Sequence, residues 1–277
     1  MTARDTPTVI LRPNGAADTG ARALAVEAPV AIEVDGIGYA VMMATPAELT
    51  DFATGFMLTE RLADTAADVR DIDVFEGEAG WIVRVSLAAH CRGRIHDRVR
   101  HRSSDTGCGL CGLSGLEQVR RPVAGRPPRP VAAAPALFAA AAALRGSQPL
   151  NRLTGAVHAA AACDAGGAIL AVREDVGRHN ALDKLAGALA RTGDGPQGFL
   201  LVTSRISFEM VDKALVIGAP LLVGVSAPTT MAVDHAREYG LTLVALARAD
   251  AMLVVNDPWN IFNAVAEEGL EPPTPGL

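Results

Sequence analysis

The clearest signal of the fold is the segment Ala168-Ile169-Leu170-Ala171-Val172, followed directly by Arg173-Glu174-Asp175-Val176-Gly177-Arg178-His179-Asn180. Five consecutive apolar residues predict a strand that is buried on both faces, and the polar residues after it predict a turn. A helix is then expected from residue 180 to about residue 191. A buried strand, a polar turn and a helix form one unit of a parallel α/β pattern.

The same pattern continues towards the C-terminus. Apolar runs at residues 199–203, 221–225 and 241–246 predict further strands, with helices of about ten residues between them. Such an alternation indicates βαβ units and a largely parallel sheet covered on both faces. Right-handed crossovers place the carboxyl ends of these strands at one edge, which is where such sheets bind ligands.

Polar residues cluster at the predicted carboxyl ends of these strands. They fall at residues 173–180, 204–207 and 226–230, and at Arg248 and Asp250. Three of these groups also open predicted helices, and the N-terminus of a helix attracts phosphate. The sequence therefore predicts a binding site for a phosphate-bearing ligand at this edge.

Composition excludes several classes of protein. The chain has 277 residues, 49% hydrophobic and 20% charged, so a globular protein with a sizeable core is expected. The net charge of -6 gives no general reason to expect nucleic acid. No signal peptide and no membrane span is predicted, so we expect a cytoplasmic, reducing location, where a C-x-x-C pair is more often catalytic or metal-binding.

Four segments follow a leader, residues 1–20, that we expect to be frayed. Residues 21–90 are predicted to form a small N-terminal α+β unit, and residues 91–130 a basic, flexible loop with the C-x-x-C pair. Residues 131–255 are predicted to hold the α/β/α domain, and residues 256–277 a tail.

Alternating apolar residues predict most of the small unit. Residues 29–39 indicate two strands around an Asp35-Gly36 turn, and residues 69–75 and 81–87 indicate two more. A helix is predicted to begin with Thr45 as its N-cap and Glu48 as the third residue of a capping box.

The only C-x-x-C pair lies in Asp105-Thr106-Gly107-Cys108-Gly109-Leu110-Cys111-Gly112-Leu113-Ser114-Gly115. Four glycines and the lack of an apolar period predict a loop. Residues 92–129 around it contain nine arginines and three acids, a net charge of +6 (nine minus three), which indicates a functional basic patch.

The residues alone leave more than one chemistry open for this pair. A zinc site needs four ligands, so Cys108 and Cys111 would require Cys91, His96 or His101, at irregular spacings. A dithiol oxidoreductase would place the pair after a strand, and none is predicted there. A nucleophilic or persulfide-carrying cysteine fits best, because nearby arginines stabilise the reactive thiolate.

Five strings occur in the order and spacing of one known family. They are Val41-Met42-Met43-Ala44-Thr45-Pro46, Thr106-Gly107-Cys108-Gly109-Leu110-Cys111-Gly112, Thr154-Gly155-Ala156-Val157-His158-Ala159-Ala160, Glu174-Asp175-Val176-Gly177-Arg178-His179-Asn180-Ala181-Leu182-Asp183-Lys184 and Ser204-Arg205-Ile206-Ser207-Phe208-Glu209-Met210. Over roughly residues 25–250 the chain resembles the formate dehydrogenase accessory protein family, the FdhD sulfur carriers.

The resemblance implies a cytoplasmic, commonly homodimeric protein with a cytidine-deaminase-like three-layer α/β/α core. Family members take sulfur from a cysteine desulfurase as a persulfide, here on Cys108 with Cys111 as its helper. They pass it to the bis-guanine-dinucleotide form of the molybdenum cofactor before the cofactor enters formate dehydrogenase. Deaminase zinc chemistry is not implied, since two alanines follow His158 and no proline precedes Cys108.

The resemblance and the predicted sheet edge together suggest which residues contact the cofactor, or a guanine nucleotide that mimics it. They are Arg178, His179, Ser204, Arg205, Ser226, Thr229, Leu246, Ala247, Arg248, Ala249, Asp250 and Ala251. In the last six, only Arg248 and Asp250 match the family's pattern. No resident metal is expected. The alternative is a cofactor-binding chaperone without sulfur transfer, whose C-x-x-C pair holds structural zinc or acts as a dithiol.

Overall fold

A computed structural model describes residues 1–95 and 125–262 of the chain. The first element is an antiparallel hairpin of β1 (Ala3–Leu11) and β2 (Ala17–Ala25). The prediction of a frayed leader is therefore wrong. Most side chains of the hairpin are exposed, so no apolar pattern in the sequence predicted it. The hairpin forms through backbone hydrogen bonds, which do not require an apolar pattern. Arg22 attaches the hairpin to the rest of the chain by donating to the Thr154 carbonyl at 3.2 Å.

The small α+β unit has the predicted strands. They are β3 (Ala28–Val34), β4 (Ile37–Ala44), β5 (Val69–Gly77) and β6 (Gly80–Leu87), in the order β4-β3-β6-β5. Asp35 and Gly36 make the predicted turn, both with positive φ. The inward-facing residues of β3 are fully buried and pack with helix α1 (Leu49–Thr59).

The predicted capping box at the start of α1 is wrong. The helix begins at Leu49, after Glu48 in the left-handed conformation with φ 46°, and Glu48 makes no side-chain capping bond. Thr45 is instead held by residues far along the chain. Its backbone N–H donates to Asp175 at 3.0 Å, and its carbonyl accepts from Lys184 at 2.9 Å.

The second sheet has six strands in the order β12-β11-β10-β9-β7-β8. They are β7 (His158–Cys163), β8 (Ile169–Asp175), β9 (Phe199–Val202), β10 (Leu221–Gly224), β11 (Thr242–Ala245) and β12 (Leu253–Asn256). The prediction of a largely parallel sheet is wrong, because only β9–β10 and β10–β11 pair in parallel. Alanine-rich β7 inserts antiparallel between β8 and β9, and β12 adds an antiparallel edge.

Helices cover both faces of this sheet, as predicted. The described helices of this part are α2 (Ala134–Leu144), α3 (Pro149–Thr154), α4 (Arg178–Thr192), α5 (Phe208–Val216) and α6 (Thr230–Tyr239). In β9, Leu200 and Val202 pack with α4, α5 and α6, whereas Phe199 and Leu201 pack with α2 on the opposite face. The alternation produces three layers, α/β/α.

Helices α1 and α4 join the two parts at very short range. A Cβ atom added to Gly55 would lie 1.7 Å from the Asp183 carbonyl oxygen, and one added to Gly187 would lie 1.9 Å from that of Asp51. Only glycine allows this approach of two backbones. Within the described ranges, no helix has both the length and the apolar content needed to cross a bilayer.

Candidate functional site

The predicted convergence of strand ends is present despite the mixed sheet. Strands β8, β9, β10 and β11 run in one direction, because β7 is antiparallel to both β8 and β9. Their carboxyl ends therefore meet at one edge, which we call the open edge. His158 at the start of β7 pairs with Asp175, and Leu253 at the start of β12 pairs with Ala245, so both also lie there.

Much of the string from Glu174 to Lys184 stabilises the fold. Asp175 and Lys184 are both fully buried and form an ion pair at 2.8 Å. Asn180 donates to Asp175 at 3.0 Å and to the Met43 carbonyl at 2.9 Å. Together with the two bonds to Thr45, these contacts attach the end of β4 to the turn between β8 and α4.

The other two acids of the string also have partners inside the fold. Glu174 accepts from the backbone N–H groups of Leu150 and Asn151 at 2.9 and 2.8 Å, at the N-terminus of α3. Asp183 is fully buried and accepts from Lys213 at 2.6 Å and from Thr59 at 2.7 Å. The sequence did not distinguish these structural roles from ligand contacts.

Arg178 and His179 differ from their neighbours in the string. The Nε atom of Arg178 and both ring nitrogens of His179 are buried, and none has a hydrogen-bond partner among the described residues. The pKa of His179 is lowered to about 3, first by burial and then by the positive charges of Lys213 and Arg178 and a contribution from His158. His179 is therefore neutral at pH 7, with one nitrogen able to donate and the other able to accept.

Two more side chains of the open edge belong with them. Ser207 is the N-cap residue of α5, but its buried hydroxyl caps nothing and has no partner in residues 1–95 or 125–262. The pKa of His158 is lowered, first by burial and then by the charge of Arg178. Leaving a buried polar group unpaired costs about 1–3 kcal/mol, so the buried atoms of Arg178, His179 and Ser207 are expected to bond to a ligand or to water.

Other predicted contact residues already use their hydroxyl groups. Ser204 donates to the Arg205 carbonyl at 3.1 Å, and Ser226 donates to the Thr203 carbonyl at 3.3 Å. The Thr229 hydroxyl accepts from the Ala232 N–H and caps α6. All three lie at the open edge, and the side chain of Arg205 is exposed there. Their predicted role as ligand contacts stays a prediction.

Residues 246–251 form the connection between β11 and β12. Leu246 has φ 50°, a left-handed conformation that is strained for a branched side chain, and its N–H donates to the Ser226 carbonyl at 3.3 Å. Ala247 donates to the Gly224 carbonyl at 3.0 Å, so the loops after β10 and β11 are bonded to each other. Arg248, Ala249, Asp250 and Ala251 are exposed at the open edge.

Cys108 and Cys111 lie outside the described residues, so their predicted role stays a prediction. The other two cysteines, Cys91 and Cys163, are free and buried. Burial raises the pKa of Cys163 to about 12, so its thiol is protonated and unreactive at neutral pH. In the described part of the basic segment, Arg94 pairs with Asp64 at 2.7 Å.

The three-layer fold defines an α/β protein whose open edge holds buried polar atoms without a partner among the described residues. The chain belongs to the FdhD/NarQ family, whose family model matches residues 25–262.

Curated relatives extend the match over most of the chain. A protein of Bordetella petrii named "Sulfur carrier protein FdhD" is 47% identical over 236 residues, which cover 83% of this chain and 84% of the relative. A protein of the same name from Cupriavidus necator is 49% identical over 238 residues, covering 85% of this chain and 82% of the relative.

A solved structure supports the fold. The crystal structure described as a formate dehydrogenase accessory protein of Desulfotalea psychrophila has a TM-score of 0.73 and 24% identity. The match covers 95% of this chain and all of that one. At this identity the likeness bears on the fold alone.

Proposed function

We propose that this chain is a sulfur carrier in the maturation of formate dehydrogenase. The observation that carries the proposal is the family match over residues 25–262, a range that includes Cys108 and Cys111. Curated relatives that are 47% and 49% identical bear the name of sulfur carriers. Family membership thus supports sulfur transfer as the chemistry, and the open edge supports an anionic molecule as the acceptor of the sulfur.

Cys108 carries the sulfur in this proposal. Its thiolate attacks the outer sulfur of a persulfide on a cysteine desulfurase, so that a bond from Cys108 to that sulfur forms and the desulfurase cysteine leaves as a thiolate. No oxidant is needed in this exchange. The arginines of residues 92–129 favour the thiolate, which is the attacking form.

Cys111 acts as the helper in delivery. Its thiolate attacks the Cys108 sulfur, hydrosulfide leaves for the acceptor, and a Cys108–Cys111 disulfide forms. A cellular dithiol then reduces that disulfide, which balances the two electrons of each cycle. The acceptor is the substrate of the carrier, the molybdenum cofactor in its bis-guanine-dinucleotide form.

The open edge suits the anionic groups of this substrate. The N-terminus of α5 carries no side-chain cap, and Arg178, His179 and Ser207 offer buried polar atoms without partners among the described residues. Helix N-termini and guanidinium groups bind phosphate well. A guanine nucleotide is therefore a suitable probe. Exposed Arg205 and Arg248 add positive charge at the same edge.

Three further features complete the proposal. The carrier acts in the cytoplasm, works as a homodimer, and contacts both a cysteine desulfurase and formate dehydrogenase. Its core is deaminase-like, which the three layers and the opening β7–β8 hairpin support. It has no deaminase chemistry, because Ala159 and Ala160 follow His158 where the zinc motif needs glutamate.

The deciding experiment is mass spectrometry of the intact protein after incubation with a desulfurase and cysteine. Wild-type protein is expected to gain the mass of one sulfur atom, mapped to Cys108, and Cys108→Ala to gain none. Cys163→Ser is the matched control, because that thiol is buried and protonated. If Cys108→Ala loads as fully as wild type, the persulfide mechanism is wrong.

The polar atoms of the open edge that have no partner in the described part of the chain also favour a second candidate, a chaperone that binds the cofactor without transferring sulfur. If this candidate is right, wild-type protein binds a guanine nucleotide but gains no sulfur when it is incubated with a desulfurase and cysteine.

A further inference from the structure

A second group of reactive side chains lies outside the open edge, in the small unit. The ligand atoms of Asp64, Asp68, His90 and Cys91 all lie within 4.8 Å of one another. The Nε2 atom of His90 is 3.4 Å from the Asp68 carboxylate and 3.9 Å from that of Asp64. The group thus combines one thiol, one imidazole and two carboxylates.

The fold holds the two segments that supply these side chains. Asp64 and Asp68 follow α1, and Cys91 follows β6, whose end is bonded to the first segment by the Ala88 N–H donating to the Asp68 carbonyl at 2.8 Å. The Cys91 N–H donates back to the Ala88 carbonyl at 2.9 Å. Asp68 and Cys91 are buried, whereas Asp64 and His90 are exposed, so the group has a buried base and an open side.

We propose that Asp64, Asp68, His90 and Cys91 bind one Zn²⁺ ion as a structural site in which the protein supplies all four ligands. Zinc in proteins prefers four ligands drawn from cysteine sulfur, histidine nitrogen and carboxylate oxygen. Calcium and magnesium prefer oxygen ligands, so the thiol and the imidazole select against them.

Distances are compatible with this coordination. Zinc–ligand bonds of about 2.0–2.3 Å place tetrahedral ligand atoms roughly 3.3–3.8 Å apart. The four atoms, which lie at most 4.8 Å apart, therefore need to approach by only about 1 Å. The exposed side chains of Asp64 and His90 can make this adjustment without disturbing the buried base.

Charge supplies a separate argument. A thiolate and two carboxylates carry three negative charges, and Zn²⁺ supplies two positive ones. Arg94 supplies the third, because it donates to both oxygens of Asp64 at 2.8 and 2.7 Å. Carboxylates that ligate a metal are commonly hydrogen-bonded by an outer layer of side chains, and Arg94 supplies such bonds here. The assembled site is thus neutral.

The location suggests what the metal does. Cys91 stands four residues before Ile95, the last described residue ahead of the segment that holds Cys108 and Cys111. A bound ion would fix His90 and Cys91, which precede that segment in the chain, to the residues that follow α1. The inference does not depend on sulfur transfer. The proposed site also gives Cys91 other metal ligands as partners in the small unit, so Cys91 is not needed to complete a zinc site with the C-x-x-C pair.

The test is zinc titration of chelator-treated protein, followed by elemental analysis and by Co²⁺ substitution. One equivalent of metal is expected, with the charge-transfer absorption of a single thiolate. His90→Ala and Asp64→Asn change exposed side chains and, as direct ligands, should weaken binding by more than the roughly 10–100-fold typical of an outer-layer partner, as should Cys91→Ser. The double variant Cys108→Ala, Cys111→Ala and the control Cys163→Ser should bind as wild type does.

Three results would overturn the proposal. They are wild-type protein that binds no zinc, binding that disappears in the Cys108/Cys111 double variant, and unchanged affinity in both His90→Ala and Asp64→Asn. Circular dichroism of each variant separates loss of a ligand from loss of the fold. The sulfur-loading assay on His90→Ala reports the persulfide chemistry independently.

Discussion

Two regions of the molecule use neighbouring residues of the string 174–184 but differ in how their polar atoms are paired. One is the junction between the small unit and the three-layer core, and the other is the open edge of the six-stranded sheet. At the junction, Asp175, Asn180 and Lys184 are buried and bonded to one another or to the end of β4. At the open edge, Arg178 and His179 have buried nitrogens without a partner among the described residues.

This difference separates structural residues from candidate ligand residues. A polar group whose bonds are made inside the fold has little left to offer a ligand. A buried group without a partner keeps its bonding capacity and reduces the stability of the unliganded protein. Hydrogen bonding rather than sequence position therefore separates the structural residues of the string from its candidate ligand residues.

The largest effect is expected where the junction loses one charge of a buried pair. Lys184→Met leaves Asp175 buried without its cation and should lower the free energy of unfolding by about 3–5 kcal/mol, measured by urea denaturation. Arg237→Met is the control, because the Arg237–Asp234 pair is exposed and spans 3.8 Å. It should change stability by less than about 1 kcal/mol. Equal effects would show that burial does not distinguish the two pairs.

An intermediate effect is expected on the pH dependence of stability at the open edge. The folded protein holds the pKa of His179 at about 3, below its ordinary value of 6.5, so the unfolded chain binds more protons between these values. Stability from this group is fully present above pH 6.5 and is lost as the pH falls towards 3.

His179→Gln removes this proton linkage. Relative to the variant, wild-type stability should decline by up to about 1.4 kcal/mol per pH unit between pH 6 and 4. Chemical denaturation at a series of pH values measures the difference. Parallel curves for the two proteins would mean that His179 is not desolvated in the folded chain.

The smallest effect is expected for Arg178. Arg178→Met should weaken the binding of a guanine nucleotide about tenfold, or about 1.4 kcal/mol, because it removes a guanidinium whose buried Nε atom has no partner among the described residues. Stability of the unliganded protein should stay the same or rise, opposite to the Lys184 variant. Isothermal titration and urea denaturation give the two values. Arg70→Met, on the exposed side of β5, is the matched control, and an equal loss of affinity there would contradict a site at the open edge.

Several parts of the fold could be predicted because they depend on local pattern. Alternating residues predicted β3 and β6, continuous apolar runs predicted β9, β10 and β11, and the polar residues after them predicted the open edge. Strand β7 was missed because a run of alanines has no strand signal. Strand β12 and the N-terminal hairpin were missed because they are exposed or lie at an edge.

Local sequence patterns were enough to predict the class of fold, the family strings, the C-x-x-C pair within a basic segment, and the edge where polar residues gather. Which of those polar residues are already bonded could be seen only in the folded chain. Thr45 and Asp175 are separated by 130 positions, and Asp64 and Cys91 come from two different segments. Local periodicity contains no information on contacts at such separations, because they arise only when packed elements bring distant backbone and side-chain groups within bonding distance.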